Sequence, residues 1–497
     1  VVTFKNDLSR SGQNLTESVL TPTNVNSSTF GLLRNLKVDG KVDAQPLYLS
    51  KLNIGTATQN VVFVATEADS VYAFDADTGN PVWHVSLLGS GETLSDSHGC
   101  NQVVPNIGIT STPVIDRGAG PHGVLYAVAM SKDASGNYHQ RLHALDVTTG
   151  AELFNGPAEI SATYSAAGNT TSFEPGQYAE RAALLLSNGV IYTTWTSHCD
   201  FPPYSGWIIG YDQNTLAQTG VLNIGPNSNA GPSIWMSGDG PAADAAGNIY
   251  LLSANGAFEP TLDANGFPNQ QDYGNSFLRI AVSSGKALSV ADYFTLSNEV
   301  AESSIDEDLG SGGEMLLPDL TDSGGTVRHL MVGAGKDGTV YVVNRDSMGK
   351  FNSSTNNIWQ QLTRVLPGGI FSSPAFFNGT VYYADSGGSL KAFPITNARL
   401  GGASPSQSLT QFPFPGASPA VSANGTANGI VWAHENSSVA VLHAYDASNL
   451  THELYNSNQA GSRDHFGAGN KFITPTIADG KVFVGSQNSV AVFGLLQ

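Results

Sequence analysis

No apolar run in the chain approaches the ~18 residues needed to cross a bilayer, so no membrane span is expected. Cations are scarce: 22 Lys and Arg stand against 41 Asp and Glu, a formal charge of −19. Such a balance repels phosphate backbones and anionic lipid, which removes nucleic acid from the expected partners. Cysteine is scarcer still. Cys100 and Cys199 match no zinc spacing, and one disulfide between them is the reading that follows. The chain begins at Val1 rather than Met, as expected of a secreted protein trimmed of its signal peptide. Eight N-x-S/T sequons (Asn14, Asn26, Asn169, Asn352, Asn378, Asn424, Asn436 and Asn449) fit that extracellular route. No helical periodicity of any length is present either, which turns attention to strands.

What the chain has is a repeated phrase. "VYAFDADTGNPVW" (71–83) returns as "RLHALDVTTGAELF" (141–154), with weaker echoes at Trp207, Thr339, Ser389 and Val441. Each echo follows a small residue plus Pro, a short apolar run, a Gly-rich turn and an alternating strand, the pattern of antiparallel hairpins. Anchored on the start of the first strand, the units fall at Pro46, Pro113, Ala183, Pro241, Met315, Pro374, Pro419 and Pro475, about sixty residues apart. The expectation is an all-β, eight-bladed β-propeller of four-stranded antiparallel blades in one domain, 1–497. Pro suits the anchor because the first residue of an innermost strand can lack a ladder N–H.

Closure is also legible. The last unit, 472–497, supplies three strands before the chain ends, and an unassigned strand, 30–38, precedes the first unit. That strand is expected to complete the last blade, which removes open edges and ties both ends of the chain down. Blades one to seven then occupy 39–471, and 1–29 form an N-terminal extension. In the phrase itself the Asp-x-x-Thr-Gly turn links third and fourth strands, with Gly79 allowing positive φ, and Trp83 fills space between blades. It reads as scaffold.

Ala73-x-Asp75-x-x-Thr78-Gly79-x-x-x-Trp83 resembles the tryptophan-docking motif of the pyrroloquinoline-quinone (PQQ) repeat propellers. That family includes quinoprotein alcohol dehydrogenases and cofactor-free scaffolds of outer-membrane assembly, so the motif is specific for fold and poor for function. "GPSIWMSGDG…LLSANG" resembles the dehydrogenase segment that carries the Trp floor under the quinone and an Asn ligand of calcium, which fall on Trp235 and Asn255. "DEDLGSGGEMLLP" resembles the stretch holding the general base, here Asp308. In "GAGKDGTVYVVNR" Lys336 stands where a basic residue meets the quinone carbonyls. The resemblance thus implies PQQ and calcium, with an aromatic plane, hard oxygen ligands, a carboxylate and a cation as the working set.

The departures are as informative. The family's adjacent cysteine pair over the quinone becomes Gly99–Cys100, and its following Arg has no counterpart, Asn106 lying nearest. The calcium-binding Glu region becomes "TSHCDFPPYSGW", where His198 or Asp200 would have to substitute. No C-x-x-C-H haem site exists. The resemblance also implies that the two cysteines join across the pocket mouth. Three functions stay open: a secreted oxidoreductase acting on an alcohol or sugar at the propeller axis, a lyase or hydrolase of uronate-containing glycans, and a non-catalytic extracellular scaffold. The second would rest on His98, Arg181, His198 and Tyr204, with His139, Arg463, Asp464 and His465 as further members, since a His or Tyr beside an Arg suits proton abstraction next to a uronate carboxylate. A monomer with a small-molecule or carbohydrate substrate is expected.

Overall fold

In the computed structural model, which describes residues 1–166, 168–402 and 406–496, the anticipated hairpins assemble into eight four-stranded antiparallel sheets arranged as propeller blades. Six of the proline anchors stand one residue before an innermost strand: Leu47–Ile54, Val114–Asp116, Ala242–Ala243, Ala375–Phe377, Ala420–Asn424 and Thr476–Ala478. Two anchors are displaced slightly. The inner strand of blade 3 starts at Leu185, and Met315 lies inside Glu314–Leu316 of blade 5. The last residue of the expected final blade, 497, lies outside the described residues.

The closing blade pairs Phe30–Lys37 antiparallel with Ser489–Leu495, as the strand count requires. A bulge interrupts this ladder between Leu32 and Arg34, and the Leu32 N–H is taken instead by the Asp464 carboxylate at 3.0 Å. Hydrophobic side chains gather in slabs between neighbouring blades rather than at the centre. Val61, Phe63 and Leu125 fill one between blades 1 and 2, and Phe30, Trp432 and Phe493 fill another between blades 7 and 8. Trp83 closes the first slab. Its indole N–H donates to the Val147 carbonyl at 3.0 Å, and its ring lies so close to Gly150 that an added Cβ would sit 2.7 Å away. The repeated phrase therefore docks Trp83 onto the next copy's turn, and Trp359 makes a like contact on the Ala398 carbonyl at 2.6 Å.

The N-terminal extension closes one end of the axis. Val1, Val2, Leu8, Ser9, Ser11 and Gly12 offer their carbonyls to N–H groups of Tyr48, Ile115, Ala243, Leu316, Phe376 and Val421, all at innermost strands. Lys5 and Arg10 are fully buried within this plug. The Lys5 ammonium donates to the carbonyls of Ser373 (3.4 Å), Pro374 (2.8 Å) and Pro419. Arg10 donates to Gly240, Pro241, Leu184, Phe4 and the Thr3 hydroxyl. Three anchor prolines, Pro241, Pro374 and Pro419, which cannot donate, thus present carbonyls that the plug's two cations answer.

Candidate active site

The opposite end of the axis opens into a cavity of about 210 Å³. Segments leading into the inner strands, and the loops above them, line it. Trp235, Asn255, Asp308 and Lys336, drawn from blades 4 and 5, all face this one space, as do Arg181, His198 and Asp200 from blade 3. Trp235 precedes a short 3-10 turn, Met236–Gly238, and its ring meets Phe472 edge to face at 5.1 Å. Phe371 and Phe414 continue the aromatic wall.

Asp308 is the hub of the polar side. One carboxylate oxygen accepts the backbone N–H of Asn255 at 2.7 Å, and the other lies 2.5 Å from the Lys336 ammonium. Lys336 also reaches Asp306 at 2.8 Å, and the Asn255 amide donates to Asp306 at 3.0 Å. Burial pushes Asp308 above the usual carboxylate range, although Lys336 and the Asn255 N–H oppose it. For Lys336 burial acts downward, but the two aspartates outweigh it and raise its pKa. The arrangement holds a carboxylate beside a fixed cation, which can take a proton and stabilise negative charge nearby.

Cys100 and Cys199 are bonded, and Cys100 lines the cavity. Beneath this bridge the rings of His98 and His198 stack with centroids 4.2 Å apart and planes 5° apart. His198 is buried, its Nε2 at 3.1 Å from the Tyr178 carbonyl, and desolvation together with His98 lowers its pKa to about 4, so it is neutral at pH 7. Tyr204 is buried behind Asp200, which raises the phenol further after burial itself. The other members of this group lie elsewhere: His139 pairs with Glu159 at 2.8 Å on blade 2, and Arg463 with Asp464 at 2.7 Å braces the closing strand.

Sequence reasoning passed over Lys41, Asp43, Asn470, Lys471 and three phenylalanines. A signal for several was available. Asp43, Thr110, Phe371 and Phe472 each stand three residues before a proline anchor and all line the cavity, so in these four units the position faces the axis. Asp43 accepts from the Asn470 amide and lies against Glu67. Glu67, fully buried, is pushed well above the carboxylate range by desolvation and by Asp43, while hydrogen bonds to Glu67 and Asn470 and the charges of Lys41 and Arg181 hold Asp43 down against its own burial. Several residues at or beside the cavity, Cys199, Asp200, Met236, Ser237 and Phe472, have φ between 47° and 65°, a conformation that costs non-glycine residues.

The lining suits a planar, acidic aromatic better than a metal ion. Four cations and a phenylalanine–tryptophan wall match a polycarboxylate quinone. For calcium the predicted oxygen ligands are few: both Asp308 oxygens already have protein partners, one oxygen of the exposed Asp200 accepts from the Ser197 hydroxyl, and Asn255 offers a single amide oxygen. No group of three or more His, Cys, Asp and Glu among the described residues is disposed to hold a metal.

Residues 37–157 match a family model described as outer membrane protein assembly factor BamB. No curated protein sequence matches the chain. Among solved structures, it resembles the quinohemoprotein alcohol dehydrogenase from Comamonas testosteroni, with 14% identity and a TM-score of 0.63 over 99% of this chain and 80% of that one. A europium-containing methanol dehydrogenase gives 13% and 0.59, over 99% and 98% of the two chains. BamB from Moraxella catarrhalis gives 12% and 0.50, over 94% and 99%. At such identities the likeness is one of fold.

Proposed function

We infer that this chain, a β-propeller of the PQQ-repeat family, works as a quinoprotein-like oxidoreductase on an alcohol or sugar bound at the propeller axis. The observation that carries the reading is that Trp235, Asn255, Asp308 and Lys336, separated by up to a hundred residues, meet in one cavity and three of them are knitted by hydrogen bonds around Asp308. A bound quinone would supply the two-electron acceptor. Trp235 would then hold its plane, Lys336 its reducible oxygens, and Asp308 would take the proton of the substrate hydroxyl. No step is assigned to calcium. Secretion belongs to the same proposal, supported by the disulfide and the sequons; no helix among the described residues is long and apolar enough to cross a membrane.

Reconstitution with PQQ, with and without calcium, followed by dye reduction with alcohols and sugars, tests it. The expected result is quinone-dependent turnover that falls about 10²- to 10⁴-fold in Asp308→Asn while quinone binding persists. Failure of PQQ to bind overturns the reading. A second reading, a uronate lyase, draws on one observation: Arg181 and the neutral His198 face the same cavity. It requires new absorbance near ~230–240 nm on uronate polymers, from a C4–C5 elimination product, lost in His198→Ala and kept in Asp308→Asn.

A further inference from the structure

The chain owns only 22 Lys and Arg, and at its plugged end the buried ones are saturated with acceptors. In the open cavity three are not. Arg181 is 6% exposed, yet its guanidinium makes one hydrogen bond, 3.5 Å to the Thr110 carbonyl, and no ion pair among the described residues. It lies 4.8 Å over the Phe472 ring, in space left by Gly238, where a Cβ would stand 3.3 Å from the guanidinium. Lys471 approaches the same ring, 5.8 Å from its centroid. Neither the Lys471 nor the Lys41 ammonium has a hydrogen-bonding or ion-pair partner among the described residues, and both residues line the cavity. After its burial, Lys41 and Arg181 are what lower the Lys471 ammonium, so the three charges act on one another. Asp43 and, beneath it, Glu67 act in the opposite sense on Arg181, and Asp43 does so on Lys471.

Arg181, a buried cation without an ion pair, opposes folding, and the half-buried Lys41 and Lys471 in the same cavity add like charge. The arrangement balances when an anion enters. A carboxylate would accept charge-assisted bonds from Arg181 and the lysines while its carbon skeleton lies on Phe472. We propose that Lys41, Arg181 and Lys471 form a carboxylate-binding site on the axial cavity, across the ring from the Asp308–Lys336 pair. The inference stands apart from the oxidoreductase reading, because the carboxylate can belong to an acidic quinone or to a uronate substrate.

Isothermal titration of the full chain separates the sources. The probes are PQQ, D-galacturonate and digalacturonate, with phenanthrenequinone and galactose as counterparts lacking the carboxylate. At least one acid should bind, its affinity falling about 10- to 100-fold in Arg181→Met and several-fold in Lys471→Met and Lys41→Met. The counterparts should be insensitive to all three substitutions. Sensitivity confined to PQQ assigns the site to a cofactor, and sensitivity confined to the uronates assigns it to substrate, the quinone reading then standing or falling on whether PQQ binds at all. Acids that bind with affinities all three substitutions leave unchanged sink the carboxylate site, and PQQ binding of that kind spares the quinone reading. Failure of every acid to bind overturns the site outright. The two lysine variants keep the test decisive should Arg181→Met not fold.

Discussion

The two ends of the propeller axis handle buried positive charge in opposite ways. At the plugged end Lys5 and Arg10 have their donors consumed by carbonyls of Pro241, Pro374, Pro419 and their neighbours. At the open end Arg181 has one long hydrogen bond. Both arginines are almost wholly buried, so desolvation taxes both, and only the first is repaid within the chain. The difference teaches where the molecule is finished and where it awaits something. A satisfied buried cation is architecture. One aimed unsatisfied into a cavity is half of an interaction.

The largest effect should come from breaking the finished end. Arg10→Met would leave the carbonyls of Gly240, Pro241, Leu184 and Phe4 without their donor in a buried position. Unpaired buried groups of this kind make the expected loss about 3–5 kcal/mol, read as a fall in the denaturant midpoint. An unchanged midpoint would mean that the extension only rests against the channel.

Little of this contrast was visible in the sequence, although the architecture was. The anchors, the turn glycines and the missing fourth strand are local, periodic signals, and they specified eight blades and the Phe30–Lys37 closure. Trp235, Asn255, Asp308 and Lys336 could be placed because a motif resemblance covers their surroundings. Lys41, Asp43, Lys471 and the plug could not, because their meaning comes from ring closure: residues more than four hundred positions apart become neighbours, as Lys5 and Pro419 do. A lone Lys in a Gly-rich loop looks the same in sequence whether its ammonium is paired or free. The repeat offset that places Asp43 and Phe472 on the axis becomes readable once the anchors are known to point there.

The open end is held by another device. Without a plug, its rim is closed covalently by Cys100–Cys199, a bridge spanning 99 positions. In the chain-entropy account a loop of this size is worth up to about 4.7 kcal/mol, and native bridges typically contribute about 2–4. A Cys100→Ser, Cys199→Ser double variant should therefore lose stability in that range and loosen the His98–His198 stack beneath the bridge. Denaturation monitored with and without reductant checks this. Equal midpoints for the reduced and oxidised chain would show that the rim is held by packing instead.

The smallest effect is the one that bears hardest on the comparison. Arg181→Met keeps most of the side chain's volume and its contact with Phe472 while deleting a charge that has one long hydrogen bond. Were Arg181 another structural cation, its loss should cost about as much as the loss of Arg10. If it awaits an anion, the ligand-free protein gives up little packing and is relieved of a buried charge without an ion pair and of its repulsion with Lys471, against which stands the lost attraction to Asp43. The expected change is then within about 1 kcal/mol, with stabilisation the favoured sign. The same substitution should abolish whatever thermal stabilisation an acidic ligand confers, since a ligand stabilises only through its affinity for the folded state. A loss of several kcal/mol in the ligand-free chain would put Arg181 in the same class as Arg10 and erase the distinction between the two ends.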